Sequence, residues 1–246
     1  MLRTLNLILG SSFLLWTVLA IGAQTVRAAG DSSSAPAIVI GFVGGFVNPD
    51  DPVHSGVELA ARLRKEYPVG LYVQVFDNRH TENAYKKILE LLSVGHTAEL
   101  TDEQKKNARI ILYGHSWGAS AAIQLARRLG LNHIPVLLTV QVDSVAKFHE
   151  DDAVIPSNVA QAANFYQPDG HPHGRAEIRA ADPSRTHIIG NFRFDYKTQP
   201  VNCDSKYPWW DRYLSKPHTE IECDPQVWGR VESLIRADLP MQTQKR

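Results

Sequence analysis

The sequence predicts an α/β domain built on a mainly parallel sheet of about five core strands, with helices on both faces. Three observations carry this. Apolar runs of strand length alternate with segments of helical period along the chain. Those runs are apolar throughout, as strands covered on both faces are, rather than alternating in and out. At RIILYGHSWG, residues 109–118, a strand pattern gives way to a helix pattern across a serine set between two glycines.

Taken in order, AIVIGFVGG (37–45) is the first strand and ends in glycines. HSGVELAARLRKEY (54–67) places Val57, Ala60, Ala61 and Leu63 at helical spacing, with charges opposite. VGLYVQVF (69–76) is a strand, and ENAYKKILELLSVG (82–95) a helix closed by Gly95. RIILYG (109–114) is the third strand, and WGASAAIQLARRLG (117–130) a helix stopped by Gly130. PVLLTVQVDSV (135–145) and THIIGNFRF (186–194) complete the strands. The last helix, 224–239, opens on an Asp224 N-cap followed by Pro225. Residues 147–183 differ. Polar and broken by Pro156, Pro168, Gly170, Pro172 and Gly174, they read as a cap-like excursion with one helical piece, NVAQAANFY.

A chain of 246 residues suits one domain of ordinary size, and 43% apolar with 21% charged residues is globular composition. Lysine plus arginine equals aspartate plus glutamate at 26 each, so no net field favours nucleic acid. GFVGG lacks the spacing of a dinucleotide fingerprint, and no cofactor is expected. His171 and His173 in GHPHG lack acids at ligand spacing, so they read as surface loop and no metal is expected.

Residues 1–29 combine a short basic start, an apolar stretch and small residues near Ala28 and Ala29, the pattern of a cleaved export signal. The alternative is an uncleaved anchor that holds residues 5–23 in a membrane. Residues 30–36 are then a linker and 37–246 the folded domain, secreted or periplasmic. In an oxidising compartment Cys203 and Cys223 are candidates to pair, two free thiols being the alternative. Closing their loop would stabilise by roughly 3 kcal/mol.

A serine hydroxyl is a weak nucleophile unless a base takes its proton and donors meet the oxyanion. A sharp strand-to-helix turn lifts Ser116 from the sheet and aims the first helix amides at incoming negative charge. Bulky residues two before and two after it would clash, which accounts for Gly114 and Gly118. This is the nucleophile-elbow pattern.

GHSWG after RIILY, with the GFVGG strand end upstream, resembles the α/β-hydrolase superfamily over the whole folded domain. The layout is similar to its small lipase-like, thioesterase-like and inositol-deacylase-like members. The resemblance implies Ser116 as nucleophile and the Trp117 amide as one oxyanion donor. The second donor is implied at the amide of Phe46 or its neighbour Gly45, where the family's usual histidine is replaced by glycine. In thioesterase-like members the acid follows the next strand, which implies Asp143, with Asp195 in reserve. The family's chain order of serine, acid, histidine implies His218, on a loop before the final helix, as the base. His115 lies in the elbow itself and His187 begins a strand. A disulfide between Cys203 and Cys223 would staple the loop carrying His218.

The implied activity is hydrolysis of a small-molecule or lipid ester through an acyl-enzyme. Peptidase, thioesterase or acyltransferase chemistry at the same site is the alternative, and a non-catalytic exported binding protein the rival from another class. Trp117, Phe42, Phe46 and Tyr207-Pro208-Trp209-Trp210 are candidates to line an apolar acyl pocket, against the plainer reading of core and loop anchors.

Overall fold

The computed structural model describes residues 35–93, 99–203, 205–207, 209 and 215–239. The export-signal or anchor segment lies outside these, as do Gly95, Pro208 and Trp210.

Among the described residues eight strands are present: β1 (Ala37–Val43), β2 (Leu71–Asp77), β3 (Ile110–His115), β4 (Val136–Val142), β5 (Val154–Ile155), β6 (Val159–Tyr166), β7 (Arg179–Ala180) and β8 (His187–Arg193). Six of them form one sheet in the order β2-β1-β3-β4-β6-β8, and every pairing is parallel. The helices among the described residues are α1 (Ser55–Glu66), α2 (Thr81–Leu92), α3 (Asp102–Lys106), α4 (Trp117–Leu131), α5 (Lys216–Cys223) and α6 (Pro225–Asp238).

The period-two alternation of β1 divides the core. Val39 faces α1 and α6 and packs with Tyr113, Val140, Leu63, Trp228 and Val231. Ile38 and Ile40 face α2 and α4 and pack with Leu112, Ile88, Ala122 and Leu125. Burial on both faces explains why β1 is apolar at nearly every position. The small residues along α4 let its backbone lie close against the sheet, and Ala119, Ala122 and Ala126 are fully buried.

The chain departs from expectation in two places. NVAQAANFY is not helical: it supplies β6, an internal strand between β4 and β8, so the sheet has six strands. Alanine, glutamine and asparagine are poor strand formers, and pairing on both sides overrides that preference. The excursion therefore consists of the loops on either side of β6, tied by the small β5–β7 sheet. His218 lies on α5 rather than on a loop. Asp224 does cap α6, accepting from the Gln226 amide with Pro225 in the first turn. The short α3 carries a capping box between Thr101 and Gln104, a signal readable in T-D-E-Q.

Candidate active site

Ser116 sits between β3 and α4 with φ 57° and ψ −128°, a conformation costly for a residue with a side chain. Sterics enforce the turn. A Cβ on Gly114 would lie 2.4 Å from the Gly118 carbonyl, and one on Gly118 would lie 2.2 Å from the Phe42 oxygen. The Ser116 amide donates to the Val142 carbonyl at 3.0 Å, fixing the elbow to the end of β4.

The loop after β1 presses on the serine. A Cβ on Gly44 would be 2.7 Å from Ser116 Cβ and 3.3 Å from its Oγ. The Asn78 side-chain amide, donating to the carbonyls of Val43 and Gly45, holds this loop in place. Gly45 has φ 53°, and Phe46 is 83% exposed, its ring edge-on to Trp117 at 6.2 Å. The oxyanion candidates Phe46, Gly45 and Trp117 thus flank Ser116 from two directions.

Asp143 follows β4 directly, with φ 44°, and is wholly buried. Its carboxylate is saturated. Oδ1 accepts from the amides of Gly174 (2.7 Å) and Gln167 (3.2 Å), and Oδ2 accepts from Gln167 Nε2 (2.9 Å). His218 Nδ1 approaches Oδ2 at 2.6 Å. A carboxylate on Nδ1 makes that nitrogen the donor and leaves Nε2 as the basic one. Asp195 instead accepts from the amides of Lys197 and Thr198 in a turn.

Gln167 stands out among the residues that hold the acid. Its side-chain oxygen accepts from the amides of Asp169 (2.8 Å) and Gly170 (3.1 Å), and Nε2 also donates to the Pro172 carbonyl. These bonds fix which end of the amide faces Asp143. Behind it, buried Asp152 accepts from Ser144 Oγ (2.6 Å) and Arg175 Nε (2.5 Å), joining the segment after Asp143 to the one after Gly174. A glutamine in Q-P-D-G-H-P-H-G reads only as turn, so nothing in the sequence marks it.

Ser116 and His218 line one cavity of about 490 Å³ with Gly44, Gly45 and Phe46. His115 packs on the His218 ring, centroids 4.5 Å apart. Burial, with the nearby charges of His218 and His54, holds its pKa well below the usual histidine range. Phe42 and Tyr207 also line the cavity, whereas Trp209 is 59% exposed. A disulfide joins Cys203 to Cys223, Cα atoms 5.6 Å apart, and so ties down the helix that bears His218. Among the described residues no group of His, Cys, Asp and Glu is arranged to hold a metal, and no helix is long and apolar enough to cross a membrane.

No known family profile and no curated protein matches the sequence. Among solved structures, the chain is similar to a cutinase-like protein from Cryptococcus sp., at 13% identity and a TM-score of 0.45 over 84% of this chain and 96% of that one. It is similar to an arylesterase at 12% identity and TM-score 0.46, covering 82% and 75%. A thioesterase from the prodiginine biosynthetic pathway in Streptomyces coelicolor shows 11% identity and TM-score 0.41, covering 85% and 92%. A parallel six-stranded sheet, helices on both faces and a strained serine at the turn from β3 into α4 are the architecture of the α/β-hydrolase fold.

Proposed function

We propose that the protein is an exported serine hydrolase that cleaves carboxylic esters through an acyl-enzyme. Ser116 is the nucleophile, His218 the base and Asp143 the residue that orients it. The observation that carries this reading is the 2.6 Å pairing of His218 Nδ1 with buried Asp143, made beside the cavity that Ser116 and His218 share. Export is supported by the apolar N-terminal segment and by the Cys203–Cys223 bond, which persists in oxidising compartments.

Ser116 Oγ attacks the ester carbonyl carbon as His218 Nε2 takes its proton. The carbonyl oxygen becomes an oxyanion and meets the amides of Trp117 and of Phe46 or Gly45. The tetrahedral species collapses, the C–O bond to the alcohol breaks, and the leaving oxygen takes the proton from the imidazolium. Water then repeats the sequence on the acyl-serine, releasing the carboxylic acid and restoring the Ser116 hydroxyl. Asp143 keeps the imidazole in the required tautomer and favours the imidazolium formed in both steps.

Fluorophosphonate labelling with peptide mapping tests the assignment. Ser116 is the expected site, and Ser116→Ala should lose both the label and at least about 10³-fold of p-nitrophenyl acetate hydrolysis. A folded Ser116→Ala protein that still turns the ester over would end the proposal.

A further inference from the structure

A second buried polar cluster opens on the same cavity, and none of the hydrolytic steps uses it. Glu222 lies four positions after His218 on α5, so both side chains leave the same face of the helix. Its Oε1 accepts from the Ser55 amide at 3.2 Å and pairs with His54 Nδ1 at 3.2 Å, while Oε2 accepts from the Tyr207 hydroxyl. The His54 ring meets Tyr207 edge-on at 5.3 Å. Glu222 and Tyr207 are almost fully buried, yet both line the cavity together with His54, Asp51, Asn48 and Lys206.

Burying a carboxylate is expensive, and holding the start of α1 does not require one that also faces a cavity. The character of the wall selects what it will accept. An alkyl chain laid against it would desolvate the cavity-facing oxygens of Asn48, Asp51 and Glu222 and return no hydrogen bond, at about 1–3 kcal/mol for each bond lost. Asp51 and Glu222 outnumber Lys206, which disfavours an anion, and the Glu222 charge is already met by Ser55, His54 and Tyr207, which leaves little pull on a cation. A neutral hydroxyl both donates and accepts, and satisfies either kind of partner.

The position of the wall says which half of the ester it meets. The leaving oxygen must approach His218 to collect its proton. Glu222 lies one turn along the same helix, so the alcohol portion extends from His218 towards Glu222 and His54. We propose that His54, Glu222 and Tyr207 form a hydroxyl-binding subsite for the alcohol half of the ester, and that the substrate is an ester of a neutral polyhydroxy compound, a sugar or another polyol. This assignment rests on the ester-hydrolase reading of the site and deepens it.

The test uses acetyl esters that differ only in the alcohol: a mono-O-acetyl methyl glucoside, monoacetylglycerol and hexyl acetate, with acetate release followed at constant pH. The wild-type protein should favour the hydroxylated esters in kcat/KM by about tenfold or more, the worth of one buried hydrogen bond. In His54→Phe, which keeps a ring against Tyr207, the ratio of glucoside to hexyl ester should fall by roughly tenfold, mainly through KM. Methyl glucoside should also slow fluorophosphonate labelling of wild-type Ser116 more than an equal concentration of hexanol does, a readout independent of turnover.

If Ser116 labels but hexyl acetate is the better substrate, the subsite is overturned and the esterase reading stands. The same holds if His54→Phe lowers both esters in parallel, the mark of a merely structural cluster. If Ser116 does not label at all, both readings fall.

Discussion

Replacing Gln167 by glutamate puts a carboxylate where an amide donor now supports Asp143, the proposed triad acid. The side-chain oxygen that accepts from the Asp169 and Gly170 amides is kept, so the local fold should survive. What changes is the contact at Asp143 Oδ2, now a 2.9 Å donation from Gln167 Nε2. Two negative charges at that separation repel by roughly 6 kcal/mol with an effective dielectric constant of 20. That repulsion is relieved when the two carboxylates share one proton, so the pair should hold that proton to higher pH than a lone carboxylate does.

The consequence for activity has a definite sign. When the pair holds its proton, that proton occupies the place of the lost N–H and the acid still orients His218. As the pH rises that proton leaves, the two carboxylates separate, and His218 loses its anchor. The expected result for Gln167→Glu is a kcat/KM within about tenfold of wild type at pH 5.5 and at least about 10²-fold lower at pH 8.5. The assay is initial-rate hydrolysis of p-nitrophenyl acetate from pH 5 to 8.5, beside thermal unfolding at both ends. A variant-to-wild-type ratio that stays flat across this range would refute the idea that Gln167 acts on catalysis through Asp143.

Three further outcomes can be measured. Cys203→Ser with Cys223→Ser should lower unfolding free energy by about 3 kcal/mol in denaturant titrations; because α5 loses its tether, activity should decline at temperatures below global unfolding. Asp152→Asn removes the charge that pairs with Arg175 and accepts from Ser144, and should cost about 3 kcal/mol with a fall in kcat, since these bonds hold the two segments around Asp143. His115 supplies a pH signature. Its folded-state pKa is depressed, so below about pH 6.5 the unfolded chain binds the extra proton, and stability falls with decreasing pH by up to about 1.4 kcal/mol per unit. Wild type should therefore lose stability relative to His115→Phe on going from pH 7 to pH 5.

What the sequence revealed follows the range of the forces involved. The elbow is local: Gly114, Ser116 and Gly118 meet one another and the adjacent end of β1, so five consecutive letters specify it. The strands β1, β3 and β4 are buried on both faces, and their unbroken apolar character is visible without knowing their neighbours. β6 is the opposite case. Its Ala162 and Asn164 pair with Thr139 and Gln141 on one side and with Ile188 and Asn191 on the other. Only those partners make a strand of residues whose own preference is otherwise. The support of the acid escaped notice for the same reason, since the Phe165 carbonyl at the end of β6 accepts from the Asp143 amide, and Gln167 follows at once.

The distribution of costly features supports the placement of the site. Across the sheet most buried residues are aliphatic or aromatic, with the neutral Thr139, Gln141 and Asn164 among the polar exceptions. At its carboxyl rim the chain buries Asp143, Asp152 and Glu222 and holds both Ser116 and Asp143 at positive φ. Each strained backbone costs on the order of 1–3 kcal/mol, and each buried carboxylate more unless fully bonded. Stability alone gives no reason to gather such features around one cavity, because aliphatic side chains of similar volume would hold the same loops more cheaply. A rim selected for packing would have been built from valine and leucine. This one keeps two imidazoles on buried carboxylates within a single cavity, His218 on Asp143 and His54 on Glu222. That expense is explained if one imidazole moves the proton and the other grips the alcohol that receives it.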